Sequence, residues 1–147
     1  MMKKSQRLRP VRDLKQQQER QEARKLADMQ QQLIQARRQH EELQGYLREY
    51  FTAISTTRQQ VKQASQLGLY QSFITRLQDA IQHQGQLIRQ REQVVQAQTR
   101  KWLEASSRLK SLDDLIARAR QQEELAADKR EQKIQDDRPH RSPQGFE

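Results

Sequence analysis

The sequence contains no cysteine, four glycines, three prolines and seven aromatic side chains in 147 residues. Without cysteine there are no disulfides, thiol nucleophiles or thiolate metal sites, which suits a reducing compartment. Gly45, Gly68, Gly85 and Gly145 each stand alone, so no glycine-rich loop can cradle a phosphate. No apolar run approaches the ~18–20 residues that a membrane-crossing helix needs. No charged start leads into an apolar stretch and a small-residue cleavage site, so the chain does not read as a secreted precursor. Hydrophobic residues make up only 33%, well below the ~45–50% of an ordinary globular domain. The length suits one domain, but not one with a thick core.

What remains is rich in good helix formers and in charge. The net charge is +9 and it is uneven. Residues 1–25 hold nine Lys or Arg against Asp13, Glu19 and Glu22, so most of the excess sits in the first sixth of the chain. Such a basic arm can meet nucleic acid, anionic lipid or an acidic protein surface, and charge alone does not choose. A solvated charged face is its plainest reading.

Periodicity settles the architecture better than composition. Every seventh residue from Leu26 gives Leu26, Leu33, His40, Leu47, Ile54 and Val61, and from Met29 gives Met29, Ala36, Leu43, Tyr50, Thr57 and Ala64. The two series alternate in steps of three and four, the signature of a coiled-coil seam. A second seam runs through Ile74, Ile81, Ile88, Val95, Trp102, Leu109 and Ile116. Its companion series is weaker: Leu77, Gln84, Arg91, Gln98, Ala105, Leu112, Ala119. Between the seams, Gly68 can take the left-handed conformation that ends a helix. The expectation is an all-α protein, a long antiparallel two-helix coiled-coil hairpin with a disordered C-terminal tail. Its divisions are a flexible basic N-terminus (1–8), a first helix (9–66), a turn (67–69), a second helix (70–137) and the tail (138–147). One continuous rod that dimerises is the competing arrangement.

Catalytic constellations are missing. His40, His83 and His140 lie far apart in sequence, and no pair of metal ligands shares a helical face. Glu41-Glu42, Asp113-Asp114 and Asp136-Asp137 are neighbours along the chain and do not face each other across a cleft. No enzyme, no cofactor, no metal and no small-molecule substrate is expected. His40 occupies a seam station and reads as a tolerated polar core residue. The aromatics are more informative, because Tyr46, Tyr50, Phe51, Tyr70 and Phe73 cluster on either side of Gly68. Phe73, Ala80, Leu87 and Val94 form a third apolar row beside the second seam. That row either widens the internal contact or faces a partner.

Several stretches resemble the FliJ family of flagellar type III export proteins. Leu8-Arg9-Pro10-Val11-Arg12-Asp13-Leu14 is similar to the family's opening, and Leu43-Gln44-Gly45-Tyr46-Leu47-Arg48-Glu49-Tyr50 to its paired-tyrosine segment. Residues 70–84 carry Tyr-x-x-Phe-x-x-x-Leu-x-x-Ala-Ile-x-x-Gln, the most specific of the matches. Trp102, Arg108-Leu109 and the 130–137 segment Arg-Glu-Gln-Lys-Ile-Gln-Asp-Asp continue the likeness in the family's order.

The resemblance implies a stalk similar to the coiled coil of the rotary ATP synthase central shaft. It implies a cytoplasmic protein, associated peripherally with the inner membrane at the flagellar base and monomeric when free. The implied partners are the export ATPase hexamer and its regulator, the cytoplasmic domain of the export gate membrane protein, and export chaperones that it escorts. Carried onto this chain, the gate-facing positions are Gln39, Leu43, Tyr46, Phe73, Leu77, Ala80 and Gln84. Gln84 stands where some members have histidine, with His83 just before it. The ATPase-facing end would hold Arg7, Arg9, Arg12, Lys15, Arg130, Lys133 and Asp136. Two other functions compete with this one. They are the equivalent stalk of a virulence-type secretion system and a basic coiled-coil nucleic-acid binder, although no nucleic acid is expected.

Overall fold

The computed structural model describes residues 2–57 and 64–138. The fold is all-α, with α1 at Lys4–Thr57 and α2 at Ala64–Asp137 packed against each other as a hairpin. Contacts divide the chain into two units, residues 1–20 with 104–147 and residues 21–103.

In each unit the two helices run antiparallel, because paired positions rise on α1 as they fall on α2. In the first unit Ser5 meets Glu123 and Arg12 meets Asp113. In the second, Glu22 meets Gln98, Gln32 meets Arg91, Ala36 meets Gln84, and Tyr50 meets Tyr70 and Phe73. Over the described residues the expected seam is the seam observed; its station Val61 lies outside them, and the stations Thr57 and Ala64 are described only as helical. Leu26, Met29, His40, Leu43, Leu47, Tyr50 and Ile54 are half-buried, and Leu33 and Ala36 are buried. On α2 the weaker companion series is also seam: Leu77, Gln98 and Ala119 are buried. The third row lies at the flank, with Ala80 and Leu87 half-buried and Phe73 and Val94 exposed. A two-helix layer has room for little more. No large side chain of a described residue is completely withdrawn from solvent.

Polar residues remain in the companion series because each finds a partner. Gln84 Nε2 donates to the Ala36 carbonyl at 2.9 Å, and buried Gln98 donates to the Glu22 carbonyl at 3.1 Å and to its carboxylate. Arg91 donates to Gln32 Oε1 at 2.8 Å. No buried side-chain nitrogen or oxygen among the described residues lacks a hydrogen bond. Burial without a partner would cost about 1–3 kcal/mol per group.

The boundaries differ from those read in the sequence. α1 starts at Lys4 and runs through Pro10, so residues 4–8 are helical. A proline inside a helix removes one hydrogen bond and crowds the carbonyl four residues earlier. Here the turn ahead of it is held from outside, since Ser5 donates its N–H and its hydroxyl to Glu123 at 3.1 and 2.7 Å. The expected turn at 67–69 is corrected, because Leu67, Gly68 and Leu69 all lie within α2. Gly68 has no positive φ, and one glycine inside a helix costs only ~1 kcal/mol, too little to end it alone. Residues 58–63 lie outside the described residues, as does the expected tail beyond Arg138.

Candidate functional site: two partner-facing surfaces

The second unit carries an aromatic surface. Tyr50 is a seam residue on α1, and its ring stacks on Phe73 (centroids 4.4 Å apart, 28° between planes) and meets Tyr70 edge-on at 5.6 Å. Tyr50 thus ties the Phe73 and Tyr70 rings of α2 to α1. Phe73 is still 45% exposed, and Tyr46, one turn before Tyr50, is 56% exposed. These are the rigid, amphipathic side chains that anchor protein interfaces when a partner covers them.

The remaining gate-facing candidates sit at different depths. Leu43 and Ala80 are half-buried, whereas Leu77 is buried in the seam. Gln84 reaches across to Gln39 Oε1 at 3.2 Å while also bonding the Ala36 carbonyl, so the structure brings Gln39 and Gln84 together. On the other flank Phe51, Ile54, Leu67, Tyr70 and Ile74 line a groove with Thr52, Ser55, Gln71, Thr75 and Gln78, with no charge among them. Phe51 is exposed there.

The first unit carries the charged surface. Arg12 occupies a seam station and donates to Asp113 Oδ1 at 2.8 Å. That hydrogen bond and the Asp113 charge push the guanidinium pKa above its ordinary value. Lys15 is half-buried on the same seam, while Arg7 and Arg9 are exposed. Arg9, Arg12 and Arg120 share a groove with Asp13 and Asp113, and Arg130 shares another with Lys3 and Lys4. Lys133 and Asp136 are exposed further along α2. The Glu123 carboxyl is held below its ordinary pKa by the Ser5 hydroxyl and N–H, with Lys3 and Arg120 adding to the effect.

The composition of the first 25 residues reads as a basic arm, yet the seam continues into it. Stepping back by sevens from Leu26 and Met29 gives Glu19, Arg12 and Ser5, and Glu22, Lys15 and Leu8. All are half-buried or buried. The heptad count alone carries that signal, but Ser5, Arg12 and Glu22 are polar, and their burial goes with partners more than 75 positions away. Spacing puts Tyr50 in the seam, but its stacking on Phe73 carries no signal in the sequence.

Among the described residues no group of His, Asp or Glu could hold a metal ion, and no helix is long and apolar enough to cross a membrane. No curated protein and no solved structure matches the chain. The profile of one family, described as Flagellar FliJ protein, matches residues 3–143.

Proposed function

The chain belongs to the flagellar FliJ protein family, a non-enzymatic component of the flagellar export apparatus, and we propose that it serves there as a coupling stalk. Its first unit docks into the export ATPase hexamer through Arg7, Arg9, Arg130, Lys133 and Asp136, with the ATPase regulator nearby. Arg12 and Lys15 shape that surface from the seam. Its second unit binds the cytoplasmic domain of the export gate membrane protein through Tyr46 and Phe73, framed by Gln39, Leu43, Ala80 and Gln84 over buried Leu77. It works on the cytoplasmic side at the flagellar base and escorts export chaperones.

The observation that carries the gate reading is the exposure of Tyr46 and Phe73 beside a seam that already encloses Tyr50. Exposed rings in a chain with so few aromatics fit an interface better than internal packing. The seam gives the helix pairs stiffness without a bulky core, and its glutamine-rich flanks stay soluble without locking onto a ring wall.

The test is binding of the purified gate domain to Tyr46→Ala and Phe73→Ala, with far-UV circular dichroism beside it. Binding should weaken at least tenfold, as for interface anchors worth roughly 2 kcal/mol, while helix content holds. Undiminished binding by both variants would overturn the gate assignment. Parallel pull-downs with the ATPase, using Arg9→Glu and Lys133→Glu, test the other surface.

A further inference from the structure

The gate-facing candidates of the second unit occupy only part of the face on which they lie. On α2 the third apolar row continues past Phe73 and Ala80 to Leu87, which is half-buried, and to Val94, which is 37% exposed. On α1 the facing row is Gln32, Gln39 and Tyr46, at the same seven-residue spacing. Both rows lie on one side of the helix pair, where Gln39 meets Gln84 and Gln32 meets Arg91. Arg37 and Glu92, each one residue past a seam station, bridge the other side.

Charge is sorted along the outer edges of this face, which helical steps of three and four from Tyr46 and Phe73 define. The α1 edge is Asp28, Gln35, Glu42 and Glu49, all exposed and without a cation among them. One step earlier stands Lys25, which pairs with Glu22 at 3.7 Å. The α2 edge is Arg76, His83, Gln90 and Ala97, all exposed, and the same steps meet no carboxylate before Glu104. Arg76 shares a groove with Tyr50 and Phe73. In the described ion pairs, none of Asp28, Glu42, Glu49 and Arg76 takes part.

A face that is acidic along one helix, basic along the other and apolar between them complements itself. We propose that the second unit binds a second copy of the chain through this face, as a four-helix bundle about a two-fold axis parallel to the helices. That rotation sets α1 of each copy beside α2 of the other, antiparallel as within the hairpin. The heights match. The Tyr50 contacts with Tyr70 and Phe73 bring Glu49 to within about 5 Å of the other copy's Arg76 along the axis, at ~1.5 Å per residue. The Gln39–Gln84 bond likewise brings Glu42 level with His83, a hydrogen-bond donor in either protonation state. A nucleic acid or an anionic bilayer on this face would meet the α1 carboxylates and be repelled. Gln32, Gln39 and Ala80 keep the apolar contact thin, so the association is reversible and the chain is monomeric when dilute. The dimer covers Tyr46 and Phe73. It therefore masks the gate-binding surface until the gate domain displaces the second copy, a step that rests on the gate reading proposed above.

The experiment is sedimentation equilibrium of the full-length chain over roughly 10–500 µM, where the mass should rise from one chain towards two. Glu49→Lys and Arg76→Glu each set like charges together at both symmetric contacts, and each should weaken association by roughly tenfold or more. Mixed in equal amounts, the two variants should associate again, because each restores opposite charges for the other. Val94→Asp, close in height to Asp28 of the other copy, should weaken association too. Glu41→Lys and Arg89→Glu reverse the same charges on the other side of the pair and should leave it within about twofold. All these side chains are exposed, and circular dichroism checks that each variant folds. A chain that stays monomeric throughout would overturn the proposal. So would equal losses from the two sets of reversals, or a mixture of Glu49→Lys with Arg76→Glu that associates no more tightly than either alone. Added gate domain should split the dimer into one-to-one complexes, and a complex that keeps two copies in contact would overturn the masking. A gate domain that bound neither the parent nor monomeric Val94→Asp would sink the gate reading alone and leave the dimer standing.

Discussion

Replacing Gly68 by alanine should stabilise the protein. Gly68 lies inside α2 without a positive φ, and a Cβ built on it meets nothing within 4 Å. With neither strain nor clash, what remains is the conformational freedom that glycine loses on entering a helix. That difference is worth about 0.5–1 kcal/mol in favour of alanine. For a chain of this size it raises the melting temperature by roughly 2–4 °C per kcal/mol. Gly85→Ala serves as a comparison deeper in the helix, where the new Cβ would sit 4.0 Å from His40 Nε2, an ordinary contact. Thermal and urea melts followed by circular dichroism at 222 nm measure both, where helix signal is strongest. If Gly68 instead closed a helix in the left-handed conformation, alanine there would cost roughly 1–2 kcal/mol. A Gly68→Ala variant that melts below the parent, while Gly85→Ala melts above it, would refute the continuous helix.

Gln98→Leu should lower stability by about 1–3 kcal/mol in urea melts, because it strips the half-buried Glu22 of the donor to its carbonyl and to one carboxylate oxygen, leaving only the looser Lys25 pair. Adding Glu22→Leu should recover much of that loss. The Glu123 carboxyl titrates below its ordinary value of 4.5 in the folded chain, so its contribution is complete above that value and fades as pH falls through the lowered one. Glu123→Gln should therefore flatten the acid limb of a stability–pH curve and leave its slope above neutrality unchanged. Tyr50→Ala should cost about 2 kcal/mol, less than the ~3–5 kcal/mol of a fully buried aromatic, and should weaken gate-domain binding by freeing the Phe73 ring. Tyr50→Phe should keep both, as read by melting and by pull-down.

Much of this fold was legible because a heptad repeat states its own geometry. Leu26, Leu33, Leu47 and Ile54 report the buried face through spacing alone, and Ile74 through Ile116 do the same for α2. What periodicity could not decide was the fate of polar stations. Gln84 and Gln98 read as weak points, yet each donates to a main-chain carbonyl of α1, a partner that spacing does not reveal. Ser5 and Arg12 are hidden for the same reason, while Pro10, which suits the first turn of a helix, points to a start at residue 9 where α1 in fact begins at Lys4. Gly68 was given too much weight, since glycine permits a left-handed cap without requiring one. At the aromatic surface, Tyr46 and Phe73 were found by position, while the stack that orients Phe73 depends on the side-chain directions of two helices.

Antiparallel pairing of α1 with α2 inside one molecule is tested most directly by cysteines introduced into this cysteine-free chain. Gln32→Cys and Arg91→Cys face each other where the native side chains are joined by a 2.8 Å hydrogen bond. In dilute solution a short bismaleimide should link them within single chains, and should fail to link Gln32→Cys with Gln71→Cys. Links that form only between differently tagged chains, or that join the second pair as readily as the first, would contradict the pairing.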